Sequence, residues 1–567
     1  MTRTSTTRLL SLAVAASLLL GCQKAAEPEA PPAKTSAIDE AAASIRSDEL
    51  MAHIRELASD EYEGRMPGTA GGRKTVAYLE QQLKALGLKP GNPDGSYLQA
   101  VPLAGISGTS RGHIQIGKKR LPLDFPNNAV AVTSHYQPEV SVKDSPMVFV
   151  GYGVQAPEYD WDDYAGIDVK GKTIVMLVND PPVQKDGQLD PQMFGGKAMT
   201  YYGRWTYKYE IASALGAAAA IVIHETQAAG YPWEVVSKGW SGEQFVTKNE
   251  QDNTDLVPVE SWISQDLARQ LFSDAGQDFD ALMAAAATPG FKPVPLKAKA
   301  SYTISNELRT VDSHNVIARL PGHDPALRDE HVVLTAHWDH LGNDGRAEGD
   351  GIYNGALDNA SGTAGLLEIA EAAAAQPQLF GRSLLFLFVT AEEQGLIGSR
   401  HYAQNPLWPL DKTVANINMD GLNVWGRTAD VVVVGRGQSS LEDDLQQVAQ
   451  QQGRKVLAEP TPEKGYYYRS DHFEFAKVGV PALYAESGNQ LIGADAEAGK
   501  RKAEEYVAND YHKPSDEIKE DWDLSGAVED LQMYLRIAER VANAQQWPQW
   551  RVGSEFKAVR DAQMQAE

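Results

Sequence analysis

Four short segments carry acids and imidazoles of the types that hold metal ions. His337-Trp338-Asp339-His340 follows the apolar run HVVLTA at 331–336, and Ala391-Glu392-Glu393 follows SLLFLFVT at 383–390. Met419-Asp420 follows VANIN at 414–418, and Asp358 sits in GALDNASG at 355–362, ahead of an Ala/Leu-rich stretch. Zinc takes imidazole and carboxylate ligands, and its catalytic sites keep a position for water. Two metals about 3.5–4 Å apart need a shared carboxylate with ligands on either side. Asp358 fits between them, His337 with Asp420 on one metal, and Glu393 with His512 on the other. Manganese or cobalt accepts the same nitrogen and oxygen set. Asp339, two residues after His337, is placed to accept a hydrogen bond from the imidazole N–H. Glu392 is left over, because adjacent acids on an extended segment point different ways. It is the candidate general base, taking a proton from an attacking water.

These groups need a scaffold that gathers them. From Ser313 the chain alternates apolar strands with helices, the latter expected at 361–375, 438–452 and 526–544. A fully apolar strand such as 383–390 belongs in the middle of a parallel sheet. The expected fold is therefore α/β, a mostly parallel central sheet with helices on both faces. Ligands of such sheets lie beyond the carboxyl ends of the strands, where the metal-type residues fall. Amphipathic helices are also expected at 48–57 and 75–86. Between about 140 and 290 the pattern changes. MVFVGYGV, TIVMLVND and AAAAIVI read as strands around a helix at 209–215, a small α/β domain inserted between an N-terminal part (38–139) and a main part (291–567).

The chain has 567 residues, too many for one ordinary core, with 43% hydrophobic and 23% charged residues. A formal net charge of −24 argues against nucleic-acid binding through a basic surface. The first 22 residues read as an export signal: Arg3 and Arg8, then an apolar run from Leu9 to Leu20 too short to span a bilayer. Leu19-Leu20-Gly21-Cys22 resembles a bacterial lipobox, and Cys22 is the one cysteine of the chain. The expectation is a protein anchored through lipid on Cys22. It would face the periplasm from the outer membrane, or lie on the cell surface, with residues 23–37 as a flexible Ala/Pro/Glu-rich tether.

The motifs also resemble a known family. HWDH at 337–340, GALDNASG at 355–362, TAEEQGLIGS at 390–399, NMDG at 418–421, RSDHFEF at 469–475 and YHKPSDE at 511–517 together look like peptidase family M28. LASDEYEGRMPGTAGG at 57–72 looks like that family's N-terminal segment. The resemblance implies a mixed sheet, a protease-associated insert, two zinc ions on His337, Asp358, Glu393, Asp420 and His512, and Glu392 as base. It implies that Tyr467, or failing it Tyr468, hydrogen-bonds the tetrahedral intermediate, and that Arg469 contacts substrate carbonyl or carboxylate groups or else pairs with Asp471. Asp516 would orient His512 or cap a turn, while His340, His401 and His472 would be structural. The expected activity is an aminopeptidase acting on peptides. Alternatives are a carboxypeptidase of the same family, a glutaminyl cyclase, which would need one metal, and a non-catalytic lipoprotein retaining the fold.

Overall fold

The computed structural model describes residues 36–346 and 348–565. Cys22, the signal segment and nearly all of the tether lie outside the described residues. The principal strands are β1 (Leu98–Ile116), β2 (Ala129–Val132), β3 (Glu139–Phe149), β4 (Thr173–Leu177), β5 (Ala219–His224), β6 (Glu260–Ser264), β7 (Val294–Leu320), β8 (His331–His337), β9 (Ser383–Val389), β10 (Thr413–Asn418), β11 (Asp430–Val433), β12 (Lys455–Ala458) and β13 (Ala482–Ser487). They form one mixed sheet in the order β12-β11-β13-β10-β8-β9-β7-β3-β4-β5-β6-β2. β9, β8, β10 and β13 run parallel, as do β3, β4, β5 and β6.

β7 joins these two parallel sets. Its end (Val316–Leu320) pairs antiparallel with β9, and its beginning pairs antiparallel with β3. Along its length it also pairs with β1, from Ala298↔Ile116 to Val316↔Leu98. Residues 140–290 thus share a continuous sheet with the metal-bearing half. Their core also takes in Ile114, Ile116, Leu123 and Ala129, which precede residue 140. Neither β1 nor β7 is evident in the sequence. Stretches such as Ser107-Gly108-Thr109-Ser110-Arg111 look like loop, and only the partner strand makes them extended.

The apolar strands behave as their composition requires. Val332, Leu334 and Ala336 of β8, with Leu384, Phe386 and Phe388 of β9, enter one core. Val333, Leu385, Leu387 and Val389 enter another on the opposite face. The first core is covered by α1 (Ser47–Leu57), α2 (Ala70–Ala85), α3 (Gly362–Ala375) and α4 (Ser525–Asn543). The second is covered by Tyr402 and Phe475 from two short helices, 397–404 and 472–477. With both faces covered, the open ground is the carboxyl edge of β8, β9 and β10.

Candidate metal centre

His337 is the last residue of β8, and Asp420 comes two residues after β10. Their side chains meet there, with His337 Nε2 3.1 Å from Asp420 Oδ1 and 3.3 Å from Asp358 Oδ1. The other oxygen of Asp358 faces the opposite way: Oδ2 is 3.2 Å from His512 Nε2, which in turn is 3.1 Å from Glu393 Oε2. Asp358 therefore stands between two His–carboxylate pairs and gives one oxygen to each. A tetrahedral metal with bonds of about 2.0–2.2 Å sets its ligand atoms about 3.3–3.6 Å apart. All four separations lie close to that edge length, so the donor set fits two ions in size as well as chemistry. The charge fits too. Among the described residues the carboxylates of Asp358, Glu392, Glu393 and Asp420 form ion pairs only with histidines.

Those histidines register the negative field. Burial works against charge on His337, yet Asp420 and Glu392, with hydrogen bonds to Asp358 and Asp420, hold it well above the ordinary imidazole range. Burial likewise opposes charge on His512, and Glu393 and Asp358 outweigh it, raising the group to about 10. Glu392 behaves differently. Burial, then Asp420, Glu393 and Asp471, push it well above the carboxylate range against the pull of His337. Its nearest approach to His337 Nε2 is 3.9 Å, longer than any ligand-type separation in the cluster.

Residues 315–536 match Peptidase family M28. The matched stretch contains every residue of the cluster. Mouse (Mus musculus) aminopeptidase NAALADL1 is 33% identical over 143 residues, 23% of this chain and 17% of that protein. Aminopeptidase YwaD of Bacillus subtilis (strain 168) is 29% identical over 192 residues, 33% of this chain and 36% of that one. The chain thus spans well under half the length of these relatives. Among solved structures, the aminopeptidase from Aneurinibacillus sp. strain AM-1 aligns over 91% of this chain and 97% of its own, with a TM-score of 0.47 and 20% identity.

The supporting residues differ from the sequence reading in three ways. Asp339 does not hold the His337 ring. Its Oδ1 stands 3.9 Å from Nδ1, which lies instead 3.3 Å from the Asp339 backbone carbonyl. The Asp339 carboxylate accepts the amides of Glu392 (3.1 Å) and Glu393 (3.4 Å). That clamp, with Ala391 in the left-handed region at φ 53°, turns the two glutamates apart. The segment is a turn, not the extended chain expected. Asp516 likewise leaves the His512 ring alone and accepts the amides of Leu357 and Asp358, both at 3.1 Å. His340 is more than structural packing: its Nδ1 lies 2.6 Å from Glu393 Oε1. That is a hydrogen bond rather than the edge of a coordination polyhedron, so His340 positions Glu393.

The tyrosines also differ from expectation. Tyr467 is buried in an aromatic cluster with His472, Tyr468 and Phe556, and among the described residues its hydroxyl has no hydrogen-bond partner. After burial, the charges that act on it are Glu555 and Glu442, not the cluster's carboxylates. The Tyr468 hydroxyl donates to Glu555 at 2.8 Å. One phenol that does feel the cluster is Tyr511, stacked 3.9 Å from the His512 ring and 43% exposed. Burial, then Asp358, Glu393, Glu392 and Asp420, hold it well above its ordinary range. Arg469 makes no ion pair with Asp471; it donates to the Lys464 carbonyl at 2.6 Å. Its neighbour Ser470 reaches the cluster, donating to Asp420 Oδ2 at 2.5 Å while accepting from Asn418 at 2.7 Å.

One positioning residue escaped the sequence reading. Arg65, 1% exposed, donates to the carbonyls of Trp338 (3.0 Å), Leu57 (2.9 Å), Asn354 (2.5 Å) and Gly355 (2.9 Å). It ties the segment after His337 to the segment before Asp358. Burial lowers the guanidinium to about 10 against the pull of Asp516, Asp339, Asp358 and Glu393. Arg65→Met leaves four carbonyls without this donor, at a cost of at least about 3 kcal/mol. The expected outcome is a lower denaturant midpoint together with weaker metal retention on dialysis. Metal affinity equal to the parent's in the folded variant would show that the tie does not set the ligand spacing.

Proposed function

We propose that this chain is a metal-dependent exopeptidase, an aminopeptidase that removes N-terminal residues from peptides. In this reading two zinc ions are held by His337, Asp420, Glu393, His512 and the shared Asp358. The observation that carries it is Asp358, whose two oxygens serve two separate His–carboxylate pairs at 3.1–3.3 Å spacings. The aminopeptidase relatives over part of the chain lend support. Bound metals would polarise the peptide carbonyl, make water a better nucleophile and stabilise the developing oxyanion. Glu392 takes the proton of the attacking water and delivers it to the leaving amine. Its buried setting, which favours the protonated form, suits the second half of that exchange. His340 and Asp339 keep Glu393 and Glu392 apart, one on the metals and one on the proton. Residues 140–290 serve as a protease-associated insert, and Cys22 carries the lipid that anchors the protein at the outer membrane.

The test is metal content combined with a substrate panel. The purified protein should hold two zinc ions, lose activity to a chelator and regain it with zinc. It should hydrolyse aminoacyl amides and fail on peptides with a blocked α-amino group. Turnover of blocked peptides that requires a free C-terminal carboxylate would replace aminopeptidase by carboxypeptidase. Full activity in the metal-stripped protein would overturn the reading altogether.

A further inference from the structure

The turn that carries Glu392 is held at two ends, and the Asp339 carboxylate grips only one of them. Residues 390–398 fold back on themselves: the Glu392 carbonyl accepts the amides of Gly395 (2.8 Å) and Leu396 (2.9 Å), and the Ala391 carbonyl accepts that of Ile397 (3.0 Å). This path needs Ala391 (φ 53°) and Leu396 (φ 60°) in the left-handed region. That conformation is costly for a residue with a Cβ and persists where the surroundings enforce it. Asp339 enforces it at the near end through the amides of Glu392 and Glu393. At the far end the Arg400 guanidinium donates to the Gly395 carbonyl at 2.7 Å.

Arg400 is itself oriented from outside the turn. Its Nε lies 3.2 Å from Glu474 Oε1. Glu474, 3% exposed, turns its other oxygen to Lys477 Nζ at 3.4 Å. Lys477 lies 2.8 Å from Oε1 of Glu210, which stands on the helix Trp205–Ala214 of the 140–290 region. The same ammonium sits over the rings of Phe473 (5.4 Å) and Tyr201 (5.7 Å). Glu210, Lys477, Glu474 and Arg400 thus form a run of alternating charges that ends on the backbone three residues after Glu392. Burial opposes charge on Arg400, yet Glu474 and then Glu210 hold its guanidinium above the ordinary range. Charge-assisted hydrogen bonds are the strong and directional ones, and displacing a catalytic group by about 1 Å costs on the order of 10²-fold in rate.

We propose that Arg400 is a positioning residue for Glu392, and that the ion pairs through Glu474 and Lys477 make its hold on the turn depend on Glu210 of the 140–290 region. This rests on the peptidase reading above, with Glu392 as the base.

The zinc-loaded full chain is assayed on leucinamide. Arg400→Met should lower kcat about tenfold or more with KM within about twofold, because the base moves while substrate binding is kept. Both zinc ions should stay, since no ligand contacts Arg400. Arg400→Lys, which keeps a donor for the carbonyl, should restore part of kcat. Glu210→Gln, at an exposed position, should lower kcat about threefold and add nothing further in the Arg400→Met background. A merely structural role lowers the denaturant midpoint and leaves kcat of the folded variant at the wild-type value, which overturns the proposal. Loss of zinc in step with kcat, or a Glu210→Gln effect that is the same in both backgrounds, overturns it as well. Should Arg400→Met fail to fold, unchanged kcat in Glu210→Gln overturns it. Absence of wild-type turnover overturns the peptidase reading instead, and full activity in Glu392→Gln overturns the base.

Discussion

Glu392→Gln will retain two metals per chain and lose about 10²–10⁴-fold in kcat, the span expected when a general base is removed. The substitution keeps the shape of the side chain. The Glu392 amide stays on Asp339 and the ligand spacings stay untouched, since Glu392 at 3.9 Å from His337 belongs to neither pair. What disappears is the capacity to take a proton. KM for a small aminoacyl amide should change little, because the interaction is made with the reacting water rather than with the bound substrate. Metal analysis and steady-state kinetics on one preparation check both halves. Loss of a metal in the variant would make Glu392 a ligand, and activity within a few-fold of wild type would remove it from the proton transfer.

Asp358→Asn has the second large effect, on stoichiometry. A carboxylate offers an acceptor at each oxygen, whereas an amide offers one. Asp358 Oδ1 serves the His337–Asp420 side and Oδ2 the His512–Glu393 side. Whichever way the amide turns, one side receives an NH₂ group that cannot bind a cation. The expected result is a chain that holds at most one metal, with affinity reduced by more than the roughly 10–100-fold that follows loss of a supporting partner. Activity should fall with it. Titration with zinc, read by calorimetry or by activity recovery, separates one site from two. Two metals bound at parent affinity would show that Asp358 is not shared.

Both effects rest on residues legible in the sequence: Glu392 follows the apolar run 383–390, and Asp358 stands just ahead of the Ala/Leu-rich helix 362–375. The alternation of buried residues across β8 and β9, split between two cores, requires a sheet covered on both faces. Chain reversal at the carboxyl edge then leaves His337, Glu393 and Asp420 as neighbours. The supporting contacts were not legible in the same way. Asp339 is expected to hold the His337 imidazole, and Asp516 to orient His512 or cap a turn; both hold backbone amides. Nothing in their spacing distinguishes the two uses, which differ by a rotation of the side chain. Arg65 lies 273 residues from the Trp338 carbonyl it binds, and a backbone acceptor leaves no mark in residue type. Tyr467, the phenol that the family resemblance implies for the tetrahedral intermediate, packs instead against Phe556 and His472.

The long β1–β7 pairing was hidden for a related reason. The middle of β1, Ser107 to Arg111, is polar and small and becomes strand through hydrogen bonds to β7, while flanking residues such as Val101, Leu103, Ile114 and Ile116 enter buried cores. The sequence by itself determined the strand ends, the types of the six residues that gather there, and the likeness to a metallopeptidase family. Hydrophobic period and side-chain chemistry are local properties, so a chain displays them before it folds. The tertiary structure alone decided which oxygen of Asp358 faces which histidine, that His340 braces Glu393, and that Arg65 ties the segment after His337 to the segment before Asp358. Those are relations between distant segments, set by how two halves of one sheet pack, and no spacing along the chain encodes them.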